Sequence, residues 1–299
     1  MASTSKVPPR GARALLELFK LRMTMHILTT TVAGFYMASP PDIAWDVLGW
    51  TLLGTGLLAV SAFSFNQAIE KRHDAAMERT KGRPLPSERL SLTAAWIAGV
   101  ATTLLGAALL WTHANALTAL LGVATVVLYA AVYTPLKRLT TFNTLVGGIP
   151  GALPPLMGWT AAQNQIGIGG MLLFALLFFW QLPHFLALAW MYKDDYRRGG
   201  FRMLSLVDES GEICFRQIWI QSLLLLPVSL FPYVYGLAGA WYALTALAGG
   251  AIFLWLAHRL RRTRRREDAV KVFLWSLAYL PIVLVAMALD KRLLFVNFS

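Results

Sequence analysis

"GWTLLGTGLLAVSAFSF" (49–65) carries no charge and runs directly into "NQAIEKRHDAAMERTKGRPL" (66–85), where acids and bases crowd together. The first stretch approaches the ~20 mostly apolar residues that a bilayer-crossing helix needs. The second cannot enter hydrocarbon. Their junction marks a membrane face, and the rest of the chain repeats the pattern.

The 299 residues are 57% apolar and only 14% charged, against ~25% charged in soluble domains. Nine segments read as spanning helices, at about 23–40, 48–68, 91–111, 116–134, 143–161, 168–190, 217–236, 239–257 and 272–289. Backbone polar groups must be paired within lipid, and no alternating barrel pattern is present, so the expected fold is all-α and polytopic. The connections alternate in charge. "SPPDIAWDV", "THANA", "AQNQIG" and "YVYGLAGAW" hold no Lys or Arg, whereas "EKRHDAAMERTKGRPLPSER", "LKRLTT", "YKDDYRRGGFRM" and "HRLRRTRRRED" are basic. The positive-inside rule puts the basic set in the cytoplasm, with the N-terminus inside and the C-terminus outside. Only Lys291 and Arg292 then fall on the outer side. The net charge of +12 is thus accounted for by topology and contact with anionic membrane lipids, and calls for no nucleic acid. Residues 1–20 read as a cytosolic tail without a cleavable leader, 21–292 as one domain, and 293–299 as a short tail. The single cysteine, Cys214, leaves no intrachain disulfide, multi-cysteine metal site or covalent haem attachment.

Asn66, Glu70 and Asp74 lie four residues apart, along one face of a helix. Two carboxylates at that spacing repel each other, so a positive group is expected beside them. Three oxygen-bearing side chains suit a hard divalent cation; Mg²⁺ takes one or two carboxylates and fills its shell with phosphate and water oxygens. Arg72, Arg79, Lys81 and Arg83 follow at once, and such cations neutralise phosphate. The competing reading is a helix end with ordinary solvated ion pairs. A second segment, "WQLPHFLALAWMYKDDYRRGGFRML" (180–204), weighs against it, since it also closes an apolar helix with acids, Asp194 and Asp195, and bases. Two acidic helix ends on one side of the membrane can face each other across a cavity.

With "YTPLKRLTTFNTLVGGIPGALPPLMGW" (133–159) between them, these motifs give a resemblance. The chain resembles the protohaem IX farnesyltransferases (haem O synthases), a branch of the UbiA-type intramembrane prenyltransferases, over roughly 20–290. Its "MERTKGRPL", "YTPLKR" and "WQLPHF" together set it apart from relatives that prenylate aromatic acids for quinones. The resemblance implies a nine-helix bundle in the cell inner membrane, with a cavity open to the cytoplasm. It implies farnesyl diphosphate as donor and haem b as acceptor, a substrate and not a fixed cofactor. The product is haem O, which serves terminal oxidases, and haem A synthase is a candidate partner.

The family's first acidic motif falls on Asn66, Glu70 and Asp74, with Glu in place of the first Asp. The second falls on Tyr192, Asp195 and Tyr196; Met191 stands where the wider superfamily often has another Asp. The resemblance implies that Asn66, Glu70, Asp74 and Asp195 hold Mg²⁺. Arg72, Arg79, Lys81, Lys137 and Arg198 become the clamps on diphosphate. Tyr133, Tyr192, Tyr196, Trp180 and Phe185 are candidates to stabilise an allylic cation. On the acceptor side, His184 lies in an apolar span and can ligate haem iron. His26, also in a span, is the second candidate. His73 is placed near diphosphate, while His113 and His258 read as structural. A transporter remains the reading from another class, but the carboxylates sit at helix ends and no inverted repeat is evident.

Overall fold

The computed structural model describes residues 11–292. In chain order the helices are α1 (Ala12–Leu18), α2 (Leu21–Ala38), α3 (Trp45–Ala76), α4 (Leu92–His113), α5 (Ala116–Val127), α6 (Thr134–Leu139), α7 (Asn143–Gln163), α8 (Ile168–Met191), α9 (Lys193–Arg198), α10 (Leu204–Val207), α11 (Glu212–Val234), α12 (Ala240–Thr263) and α13 (Arg266–Leu289). A π-helical turn, Leu128–Tyr133, joins α5 to α6. Among the described residues there is no strand, only an isolated bridge between Ala238 and Lys291.

Among the described residues, seven helices are long and apolar enough to cross a membrane: α3, α4, the continuous Ala116–Leu139, α8, α11, α12 and α13. The other two expected spans are helices as well, α2 and α7, but their composition is weaker. Helix α2 carries Arg22, His26 and four threonines, and α7 carries three prolines and four glycines. Burial explains the pattern of α7 and of the inward face of α2. Much of α7 is buried, as are Thr24, Thr30, Thr31 and Gly34 of α2. A helix enclosed by protein needs no apolar face toward lipid. A Cβ on Gly34 would stand 1.9 Å from the Pro155 carbonyl oxygen, and one on Gly158 would stand 2.0 Å from that of Thr31. The α2 and α7 backbones therefore approach as closely as only glycine permits.

Helix α4 shows the opposite arrangement. Its buried residues are Ala95, Gly99, Gly106 and Leu110, while Trp96, Ile97, Leu104, Leu105 and Trp111 face outward. Small residues inside and large apolar residues outside are the pattern of a helix solvated by lipid. Helix α1 falls within the segment read as a tail, yet Leu18 is fully buried and its carbonyl accepts a hydrogen bond from Gln67 Nε2 at 2.7 Å. Residues 1–10 of the expected 1–20 tail, and the whole of the expected tail 293–299, lie outside the described residues.

Candidate active site

The acidic face of α3 ends the longest helix of the bundle. Asn66, Glu70 and Asp74 are almost completely buried, at 2, 4 and 0% exposure. Buried carboxylates demand partners, and these come from distant segments. Lys137 Nζ lies 2.9 Å from Glu70 Oε1, and Arg83 Nη1 lies 2.7 Å from Asp74 Oδ2. Asn66 Nδ2 donates to Thr134 Oγ1 at 3.1 Å.

The "YTP" triplet builds two of these contacts. Pro135 has no N–H to offer the preceding turn and crowds it, which favours the wider π-helical turn before it. Thr134 Oγ1 donates to the Tyr129 carbonyl at 2.8 Å, the oxygen that also accepts the Thr134 backbone N–H across the π-helical turn. The register change lets α6 present Thr134 to Asn66 and Lys137 to Glu70. Lys137 also sits 4.6 Å from the Tyr133 ring centroid.

The second acidic segment meets the loop after α3. Asp195 Oδ1 accepts from the Glu78 backbone N–H at 3.0 Å and from Arg198 Nη2 at 2.5 Å. Burial pushes the Asp195 carboxyl up; its hydrogen bonds to Arg198 and Glu78 outweigh that and hold it below the usual range. Arg79 lies 5.1 Å from the Tyr192 ring and 5.9 Å from that of Tyr196, a cation held between two aromatic faces. Asp194 is exposed and pairs with Arg197, so it does not join Asp195.

Several expected clamps stand elsewhere. Arg72 is exposed and, among the described residues, forms no ion pair. Two residues along a helix turn it by about 200°, so Arg72 points away from Glu70. Lys81 is more than half exposed and pairs with Glu78. Arg198 is half exposed and committed to Asp195. His26 is exposed. His73 Nδ1 is 2.7 Å from the Gly199 carbonyl oxygen and Nε2 is 3.1 Å from Arg138 Nη1, so it ties α3 to α6 and to the loop after α9. His113 stacks on Trp50. Trp180 and Phe185 surround His184 instead of the acidic face.

Two further cations stand at the site. Arg83 comes from the basic run after α3, where nothing in the spacing distinguishes it from its neighbours. Lys20 carried only the weak signal of a lone Lys before the first span. Lys20 adopts a left-handed backbone conformation, φ 46°, costly for a non-glycine residue, and its ammonium lies 5.0 Å from the Phe63 ring centroid. Burial, then the like charges of Arg83 and Lys137, lower its pKa to about 7. Among the described residues it has no ion-pair partner, so it is a cation poised for an anion.

His184 is buried on α8, between Trp180 and Phe273, whose rings stack on it at 5.3 and 4.7 Å. Ser276 Oγ donates to the Phe273 carbonyl at 2.5 Å and lies 2.7 Å from His184 Nδ1. The one hydroxyl proton is used, so Ser276 accepts from Nδ1–H, and the Nε2 lone pair is left free.

The residues fit a divalent cation in one respect. Asp74 Oδ1 is a buried carboxylate oxygen without a partner, beside the amide of Asn66 and the carboxylate of Glu70. Among the described residues no group of three or more His, Cys, Asp or Glu gathers around one point. The donor set therefore suits an ion that brings phosphate and water oxygens with it. From Asn66 toward the start of α3 lies an apolar cavity of about 80 Å³, lined among others by Phe63, Ala62, Leu58 and Thr55 of α3 and by Gly122, Tyr129 and Met157.

A model of the UbiA prenyltransferase family matches residues 27–278. The protohaem IX farnesyltransferase of Solibacter usitatus is 41% identical over 288 residues, covering 93% of this chain and 99% of that protein. That of Koribacter versatilis is 37% identical, covering 96 and 97%. Among solved structures, a digeranylgeranylglyceryl phosphate synthase superposes with a TM-score of 0.79 at 17% identity, over 93% of this chain and 97% of that one. A UbiA homologue from Archaeoglobus fulgidus bound to GPP and Mg²⁺ gives 0.67 at 15%, over 92 and 99%.

Proposed function

The chain belongs to the UbiA prenyltransferase family, in its protohaem IX farnesyltransferase branch, and on that premise we propose how its own residues carry out farnesyl transfer to haem b. The observation that supports the mechanism most is the buried Asn66–Glu70–Asp74 face, ringed by Lys137, Arg83 and Lys20 and leading into an apolar cavity.

Farnesyl diphosphate lies with its head at the charged end and its tail in the cavity. Asn66, Glu70 and Asp74 would hold Mg²⁺, with Asp195 on the opposite wall. When bound, the ion neutralises charge that grows on the departing diphosphate. Glu70 and Asp74 keep Lys137 and Arg83 at the leaving group, so these cations need no rearrangement when the carbon–oxygen bond breaks. Lys20 and Arg79 add positive charge from two further directions. Tyr129 and Tyr133 flank the point where the allylic cation forms. Their ring faces stabilise it without trapping it. Farnesyl C1 then bonds to a haem vinyl carbon, and water adds at the neighbouring carbon to give the hydroxyethylfarnesyl group. Haem b, farnesyl diphosphate and water thus become haem O and diphosphate. His184 coordinates the acceptor's iron through Nε2.

The protein is a multi-pass membrane protein. We place it in the inner membrane as one domain over 21–292, with α2 and α7 completing nine spans, the N-terminus inside, the C-terminus outside, and the charged end toward the cytoplasm.

The test is direct. Purified protein with haem b, farnesyl diphosphate and Mg²⁺ is expected to give a product heavier than haem b by farnesyl plus water, and none with chelator. Prenylation of an aromatic acid instead would move the chain to the quinone-type branch. No consumption of the diphosphate with any acceptor would reopen transport.

Lys20 predicts a pH dependence. Without an anion the ammonium is lost as pH rises through about 7; a bound diphosphate restores it. Affinity for inorganic diphosphate should therefore fall between pH 7 and 9, by up to about tenfold per unit. Lys20→Arg, always charged, should lose that component. Since diphosphate's own titration is common to both proteins, equal slopes would remove Lys20 from the site.

A further inference from the structure

We propose that the apolar cavity measures the prenyl donor, and that Leu58, Gly122 and Met157 form its closed end. The inference rests on the transferase reading and adds the residues that set donor length. The acid row of α3 lies on the helix whose earlier turns, at Ala62, Ala59, Leu58 and Thr55, line the cavity. Residues that bind the head and residues that would meet the tail thus sit on successive turns of one helix, whose face rotates by about 40° every four residues. Ala62 and Ala59 leave room along the wall.

The floor is sealed. Leu58 and Met157 are 3 and 1% exposed and pack in one buried cluster with Leu110. Gly122 lies at that junction: an added Cβ would stand 2.4 Å from Leu58 Cδ1 and 3.0 Å from Met157 Cε. Those atoms are ends of flexible side chains, and the open direction for them is the cavity.

From Asn66 to Leu58 the helix rises about 12 Å, at ~1.5 Å per residue, the scale of a chain of a few isoprene units. Each further isoprene unit lengthens an extended donor by about 5 Å, which a closed end has to absorb.

The experiment is a competition among geranyl, farnesyl and geranylgeranyl diphosphates with haem b and Mg²⁺, read as the ratio of product masses. Wild type should favour farnesyl. Gly122→Val should shift the ratio toward geranyl at least about tenfold. Leu58→Ala with Met157→Ala should shift it as far toward geranylgeranyl. If Gly122→Val does not fold, Gly122→Ala and the double variant still read opposite signs. Folded variants that leave the ratio unchanged would overturn the proposal while the transferase reading stands. If wild type makes no haem product, that reading fails instead, and the floor is judged by the relative affinities of the three diphosphates, which should move in the same directions.

Discussion

Replacing Asp74 by Asn should lower kcat with farnesyl diphosphate and haem b by about two to three orders of magnitude, the usual effect of removing one preorganised electrostatic contact at a leaving group. Asp74 is fully buried, and one of its oxygens is satisfied by Arg83 while the other has no partner. Asn keeps the shape and an acceptor for Arg83. It loses the negative charge that draws a divalent ion and fixes the guanidinium. The structural cost is moderate, because Arg83 is 22% exposed and can turn to water. Losing one partner of a fully enclosed ion pair costs more, about 3–5 kcal/mol. The measurement pairs single-turnover kinetics with thermal unfolding in detergent. A fall in kcat with a near-normal unfolding midpoint supports the dock; a normal kcat refutes it; unfolding without a specific kinetic loss makes Asp74 structural. Glu70→Asp should retain part of the activity, since it keeps the charge and loses one methylene of reach toward Lys137.

That experiment tests the part of the site most legible in the sequence. The spacing of Asn66, Glu70 and Asp74 places them on one face whatever surrounds the helix, and Tyr192 and Tyr196, four apart, come together over Arg79 for the same reason. All nine expected segments are helical. What could not be read was which cation answers which acid. Arg72 is close in the chain but lies across the helix, and Lys81 is spent on Glu78. The partners instead arrive from α6, as Lys137, and from the loop at Arg83, while Lys20, some fifty residues before Glu70, adds charge at the same end of the site without an ion pair. Neighbourhood in sequence decides a helix face, whereas tertiary packing decides an ion pair. Hydropathy is weak on α7 for a related reason: it measures fitness for lipid, and most of α7 faces protein.

Loss of His184 should separate the two halves of the reaction. His184→Ala should abolish the histidine-ligated spectrum of added haem b, weaken haem binding by more than about tenfold, and leave inorganic diphosphate affinity unchanged, because the acidic face is on another helix. Exogenous imidazole should restore the spectrum in His184→Gly, where the vacated space between Trp180 and Phe273 can admit it. The Ser276 contact sharpens the test. Ser276→Ala frees Nδ1–H from its acceptor, so the imidazole is no longer held in the form that offers Nε2, and haem affinity should fall by roughly tenfold with the ligand signature still detectable. Ser276→Thr, which keeps the hydroxyl, should recover most of it. His26→Ala should do nothing to the spectrum, since His26 faces outward from α2. If His184→Ala retains the same ligand field as wild type, the iron is held elsewhere, and the His184–Ser276 pair is packing between α8 and α13. If the field is lost but haem turnover survives, iron ligation orients the acceptor without being needed for chemistry. The vinyl group would then be positioned by the aromatic walls around Trp180 and Phe273 alone.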